Sequence, residues 1–578
     1  MASGSEPREL LRLSRRQFAV RAVVLGFSAS AVARFLAACG GASPTATSAP
    51  AGSAGAATTA AGAAATSPAA TAAPVTGGEL RLASTTEGIS MHPFKLTDTP
   101  SFSYIDRMFY MPLLRYDQDT LELTPFVAAG VKTSEDHTLV TFTLRDNLQW
   151  SDGQSLTATD YAWTWSKASD KSNAWPRLGA YAGVIDSVKD VDAKTLEVKL
   201  KGALAISLEK ASAALAYVLP RHLWENLDWN DPNKNPEIMK PTVVAGPYKL
   251  LEWRKDEYAS FVANEKFFLG RPHIDKITQR IFGNTNVATQ ALMNGEIDQY
   301  APEPENWPDL QEHPKLTALQ WDTPSAAVTY IGLDLRQEPL KEKAVRQALN
   351  YALDKEAITA KLTYGLGRRA TQMNVPSSWA YDPSVTPYKY DPATAKGLLD
   401  AAGWKPGAGG IREKNGQPLK LLLLYGPNTT PVREQIATIT QQQWRAVGAD
   451  VEVRGLEFGA LLKVTKEGPY DWGAYVNAYI AAIDPDSLAV WWRQDPAFNR
   501  VDYHNPRVAE LYAQGLRELD REKRKPIYQE IDRILTDDSP WIWLFYQQGY
   551  TAMNKRVKGV RVTKALGLND YWEWWIQP

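Results

Sequence analysis

The chain has 578 residues, with 64 Lys and Arg against 65 Asp and Glu and a formal net charge of −1. That balance, with both signs interspersed, excludes the basic face a nucleic-acid partner would require. A single cysteine excludes an internal disulfide, so stability must come from burial, for which the 44% hydrophobic content is sufficient.

The first segment has the order of an export signal. Arg8, Arg12, Arg15, Arg16 and Arg21 form a basic region, and Ala22 to Ala33 follow as a charge-free run of about a dozen residues, too short to span a bilayer. Leu36-Ala37-Ala38-Cys39 resembles the lipobox of bacterial lipoproteins. Ser14-Arg15-Arg16-Gln17-Phe18 resembles the twin-arginine export motif, although Ala19 and Val20 do not continue it. Residues 1–38 are therefore expected to be an export signal, and Cys39 a lipidated anchor. Ala42 to Val75 is almost entirely Ala, Thr, Ser, Gly and Pro, too poor in large apolar groups to fold. Residues 39–76 read as a tether with a span of roughly 30 Å as a flexible coil.

The body begins with strand-like alternation at Gly78 to Leu82, and again at Leu139 to Leu144 and Leu196 to Leu200. Tyr248 to Trp253 and Tyr258 to Val262 flank a charged turn and predict a hairpin. From about Lys341 helical stripes appear: Val345, Leu349, Ala352 and Leu353; then Val432, Ile436 and Ile439; then Ile527, Ile531, Ile534 and Leu535. Leu419 to Tyr425 and Asp450 to Val453 read as buried strands between them. The first half is thus mixed and strand-rich, and the second alternates helix with strand, as α/β folds do.

Catalytic motifs are missing from the pattern. There is no phosphate-loop signature, no His-Glu-x-x-His and no Gly-x-Ser-x-Gly in the body. Histidines 92, 137, 222, 273, 313 and 504 lack metal-ligand spacing, so neither metal nor cofactor is expected, and no later stretch approaches the length of a membrane-spanning helix.

Leu144 to Asp160 (LRDNLQWSDGQSLTATD) resembles a long motif of the peptide/nickel-type extracellular solute-binding proteins of ABC importers. Within it, Trp150-Ser151-Asp152-Gly153 reads on its own as a turn over a packed indole. Further blocks match in order: Gly246-Pro247-Tyr248, Asn264 to Ile277, Ala291 to Asp298, Val345 to Asp354 and Ala401-Ala402-Gly403-Trp404. The resemblance runs from about Gly77 to the end of the chain. It implies an α/β, two-lobed periplasmic-binding-protein-like fold with a hinge and an extra subdomain inserted in the first lobe. The expected divisions are 77–119 and 241–325 for the first lobe, 120–240 for the insertion, 326–545 for the second lobe and 546–578 for the return to the first.

Function is then expected to be capture of a solute between the lobes and delivery to a permease and its ATPase, by a monomer held outside the membrane, not an enzyme. A tethered extracellular hydrolase is the alternative of another class. In peptide-binding members, an acid three positions before the Asp of an Asp/Glu-Pro-Asp segment holds the ligand's amino terminus; here Asp484-Pro485-Asp486 places Ala481 at that position. The resemblance therefore implies a peptide ligand without that acid, with Asp484 or Asp486 as substitutes after a slip in alignment. A β-linked oligosaccharide stacking on aromatic rings is the other reading. The candidate ligand-binding residues are Trp175, Tyr181, Phe458, Tyr475, Asn477, Tyr479, Asp484 and Trp491, with Trp492 beside them.

Overall fold

The computed structural model describes residues 73–578 except 97, 324, 427–431, 493–497 and 566. The export signal, Cys39 and almost all of the tether fall outside the described residues.

Two sheets dominate. The first has seven strands in the order Leu316–Trp321, Gly549–Asn554, Gln299–Tyr300, Glu79–Ser84, Lys276–Ile281, Tyr258–Ala263, Tyr248–Arg254. Glu79–Ser84 is parallel to both its neighbours, and the remaining pairs are antiparallel. Alternation in the first strand buries Leu80 and Leu82. The predicted hairpin is present, with Tyr248–Arg254 antiparallel to Tyr258–Ala263 and Asp256 left-handed in its turn at φ 62°. The second sheet has six strands in the order Gly367–Arg369, Trp541–Gln547, Ala327–Leu333, Ala474–Ile480, Lys420–Tyr425, Asp450–Gly455. Its strand Trp541–Gln547 runs two residues past the expected division at 545. Helices cover both faces, and the predicted stripes point inward: Val345, Leu349 and Ile436 enter one core, Ile531 and Leu535 the other.

A separate antiparallel sheet of four strands, Ala128–Thr133, Leu139–Leu144, Thr195–Leu200 and Ile185–Asp190, lies within the segment between the first two long strands of the first sheet. The tryptophan turn lies just after it. Trp150 is fully buried, Gly153 takes φ +91°, and its N–H donates to the Trp150 carbonyl at 2.9 Å. Gly246, in the Gly-Pro-Tyr block, sits where a Cβ would come within 2.3 Å of the Met108 carbonyl oxygen, so backbone packs directly on backbone there.

The chain passes between the two large sheets twice, through 322–326 and through Gln548 alone. The crossings are tied side by side: Gln320 donates to Gln548 at 2.5 Å, Gln548 to Asp322 at 2.8 Å, and Arg368 pairs with Asp322 at 3.1 Å. The strand that enters each crossing and the strand that leaves it belong to different sheets, so these few residues are the backbone links between the two large sheets. In the first lobe, fully buried Asp298 accepts from Arg81 and Arg556, joining the first strand to the last part of the chain. Burial alone would raise the Asp298 pKa, but the hydrogen bonds from Arg556 and Arg81 outweigh it and hold the carboxyl below its usual range.

Candidate functional site

The space between the lobes is where side chains from both sheets meet. A cavity of 400 Å³ has Glu303, Pro304 and Tyr550 of the first lobe on one wall, and Arg433, Ala478 and Ile480 of the second among those facing them. It falls within the ~300–1,000 Å³ typical of small-molecule sites. Tyr550 also borders a space of 260 Å³ over the first sheet, and Trp321 lines both that space and one of 740 Å³ beside the crossings.

The wall from the second lobe follows from strand alternation. Ala474–Ile480 sends Ala474 and Val476 into one helical core and Tyr475 and Tyr479 into the other. At the strand's end the first set continues as Ala478 and Ile480, which the helices no longer cover, and Ile480 is 63% exposed. The second residue of helix Val432–Ala446 is Arg433, whose Nη1 is out of solvent and has no hydrogen-bond partner among the described residues. Its guanidinium lies 5.1 Å from the ring centroid of Phe458. Burial lowers the Arg433 pKa, the direction of a cation that has lost water without gaining a counter-ion. A guanidinium so placed offers donors to a planar anion, above all a carboxylate.

The structure places the expected site residues differently from one another. Phe458, 38% exposed at the start of helix Phe458–Glu467, is the candidate that reaches the cavity's arginine. Tyr475 is fully buried, its hydroxyl 3.0 Å from that of Tyr330. Tyr479 donates to the Met373 carbonyl from within the same core, and Asn477 lies on that face with its buried Oδ1 unpaired. These three alternate away from Ala478 and Ile480.

Asp484 accepts both arms of Arg524, at 2.6 and 2.8 Å, and caps the turn that follows through the Asp486 N–H. Its charge is neutralised, so it does not stand in for an acid at Ala481, which is itself buried. Trp491 packs edge-on against Trp541 with centroids 5.8 Å apart, and buried Trp492 donates to the Met373 sulfur. Trp175 is buried in the first lobe's core, stacked on half-buried Tyr181 at 5.1 Å.

Arg433 and Glu303 were not among the residues that motif or composition singled out. One signal for the arginine was present: a cation in the first turn of a helix opposes the macrodipole, and such placement needs another reason. Among the described residues no group of three or more His, Cys, Asp or Glu is arranged to hold a metal.

Two α/β lobes, joined by two adjacent crossings and enclosing a polar-tipped cavity, define a two-lobed solute-binding protein of the periplasmic type. The model of the bacterial extracellular solute-binding proteins, family 5 Middle, matches residues 122–499, and the chain belongs to that family, whose members are the substrate-binding components of ABC importers. The oligopeptide-binding protein AppA of Bacillus subtilis (strain 168) is 28% identical over 511 residues, covering 87% of this chain and 92% of the relative. The nickel-binding periplasmic protein of Escherichia coli (strain K12) is 29% identical over 469 residues, covering 78% and 85%. Among solved structures, Bacillus subtilis AppA in complex with a nonapeptide superposes with a TM-score of 0.70 at 26% identity, covering 88% of this chain and 100% of that one. NikZ from Campylobacter jejuni in complex with Ni(L-His) gives 0.69 at 26% identity, covering 86% and 99%.

Proposed function

We propose that this protein captures a peptide-like solute bearing a carboxylate between its lobes and hands it to an ABC permease driven by a separate ATPase. The observation that carries the reading is the Arg433 guanidinium on the wall of the interlobe cavity, its Nη1 without a hydrogen-bond partner among the described residues. Capture without conversion is its activity, and the hinge is assigned to 322–326 and Gln548, with the insertion spanning 120–240. Lipidation at Cys39 would hold the monomer on the outer side of the membrane, and the tether at 39–76 would keep it near its permease at high effective concentration.

Relatives named for oligopeptides, for nickel and for glutathione leave the ligand class open between peptides and metal complexes. A carboxylate ligand gives the arginine both acceptors and a counter-charge, whereas a neutral sugar gives acceptors alone. The oligosaccharide alternative also relied on Trp175, Trp491 and Trp492, whose rings are taken up by neighbouring aromatics.

The test uses the Cys39→Ser chain, which is expected to leave the membrane fraction for the soluble one; retention on membranes would count against the anchor. Thermal melting of that chain is then followed with di- to pentapeptides and with β- and α-linked oligosaccharides. A ligand at a hundred times its Kd adds about 2.7 kcal/mol of stability. A shift with peptides supports the reading, and a shift with sugars alone overturns it.

A further inference from the structure

The cavity that holds Arg433 is lined by a second charge, a carboxylate. Glu303 lies just beyond strand Gln299–Tyr300 and leads into the short helix Pro304–Asn306. It is the one acidic residue on the cavity wall, and Arg433 the one basic residue, among the described residues. Among the described residues the Glu303 carboxylate forms no ion pair with Arg433, and it stays partly open to solvent. Burial raises its pKa, and the neighbouring Glu305 adds to the rise, so the site would gain from a cation. Opposite charges, a guanidinium whose Nη1 lacks a partner among the described residues and a partly solvated carboxylate, thus line one space from different lobes. The rest of the wall is permissive, with Ala327, Leu362, Ala478, Ile480 and Phe545 offering apolar contact to a side chain.

Building on the capture reading above, we infer that this cavity recognises a short zwitterion, whose carboxylate meets Arg433 on the second lobe and whose ammonium meets Glu303 on the first. A sphere of 400 Å³ is about 9 Å across, and two residues of extended chain span at most about 7 Å, so dipeptides and amino-acid-like zwitterions of that reach are the class that fits. A tetrapeptide could place only one of its termini in this cavity. Charge-assisted hydrogen bonds at both ends make each terminus count. Neither lobe holds both charges, so the ligand is gripped fully only when the lobes are together, and binding and closure become one event.

The experiment is calorimetry with Ala-Ala and Ala-Phe, their N-acetylated and their C-amidated forms, and Ala-Ala-Ala-Ala, on the wild-type chain and on Glu303→Gln. On the wild type, acetylation and amidation are each expected to weaken binding roughly 10- to 100-fold. In Glu303→Gln the acetylation penalty should vanish and the amidation penalty should remain, which also shows that the variant's site is intact. An acetylation penalty undiminished in Glu303→Gln overturns the inference. So does a wild type that binds the tetrapeptide but neither dipeptide, and both outcomes leave the peptide-capture reading standing. If no peptide of any length binds a cooperatively melting protein, that earlier reading fails and this one with it.

Discussion

Arg433→Ala is expected to weaken capture of carboxylate-bearing ligands by about 2–4 kcal/mol, roughly 30- to 1,000-fold in Kd, because it leaves the ligand's anion desolvated opposite nothing. The same change should leave the melting temperature unaltered or raise it. In the free protein the Nη1 of this guanidinium has lost water without gaining a hydrogen bond among the described residues, so its removal takes away a cost along with the contact to the Phe458 ring. The separation of the two effects is the informative part, and titration calorimetry with melting curves on the same preparations measures both. Arg433→Lys should recover part of the affinity, since an ammonium restores the charge but not the two-pronged donor geometry. Unchanged ligand affinity in Arg433→Ala would show that the anion binds elsewhere.

The second large effect is structural. Asp298→Ala should destabilise the first lobe by about 3–5 kcal/mol, read as a lower urea midpoint, because two guanidiniums would remain facing each other around an empty position. The loss also falls on geometry, since Arg81 donates to the Gly295 carbonyl as well as to Asp298, and Arg556 donates to the Glu79 carbonyl. Acid should imitate the mutation. The folded-state pKa of Asp298 is depressed, so its contribution is full above the unfolded-chain value and is lost as the pH falls through the folded one. A midpoint change below about 1 kcal/mol would place the pair with ordinary solvated ion pairs.

Much of the architecture was legible because period-two and helical patterns report burial directly. Glu79–Ser84, Leu139–Leu144, the hairpin at 248–263 and the parallel pair Lys420–Tyr425 and Asp450–Gly455 all stand where alternation or apolar runs put them. The site was less legible, for identifiable reasons. Alternation in Ala474–Ile480 divides the strand into two faces, but both are covered by helices for most of its length, so the sequence does not say which one opens at the end. Tyr475 and Tyr479 looked like ligand platforms because aromatic rings with polar tips suit that role; here their tips are satisfied inside the core. Asp484 is committed to Arg524, 40 positions away in sequence, which no local pattern discloses. Arg433 and Glu303 become neighbours only through the meeting of two lobes.

The position of strand Gly549–Asn554 has a consequence for the life of the chain before it reaches its native state. On a chain emerging in order, everything the second lobe's sheet needs, from Ala327 to Gln547, exists before this strand is made. Strand Leu316–Trp321, by contrast, has Gly549–Asn554 as its single neighbour in the sheet among the described residues, so it waits as an open edge for more than two hundred residues of synthesis. One lobe can therefore mature while the other is kept unfinished, and the second crossing, laid down last, joins them. The nascent receptor has a grip on one side only, and the last strand of the two large sheets to be made is the one that gives it the other.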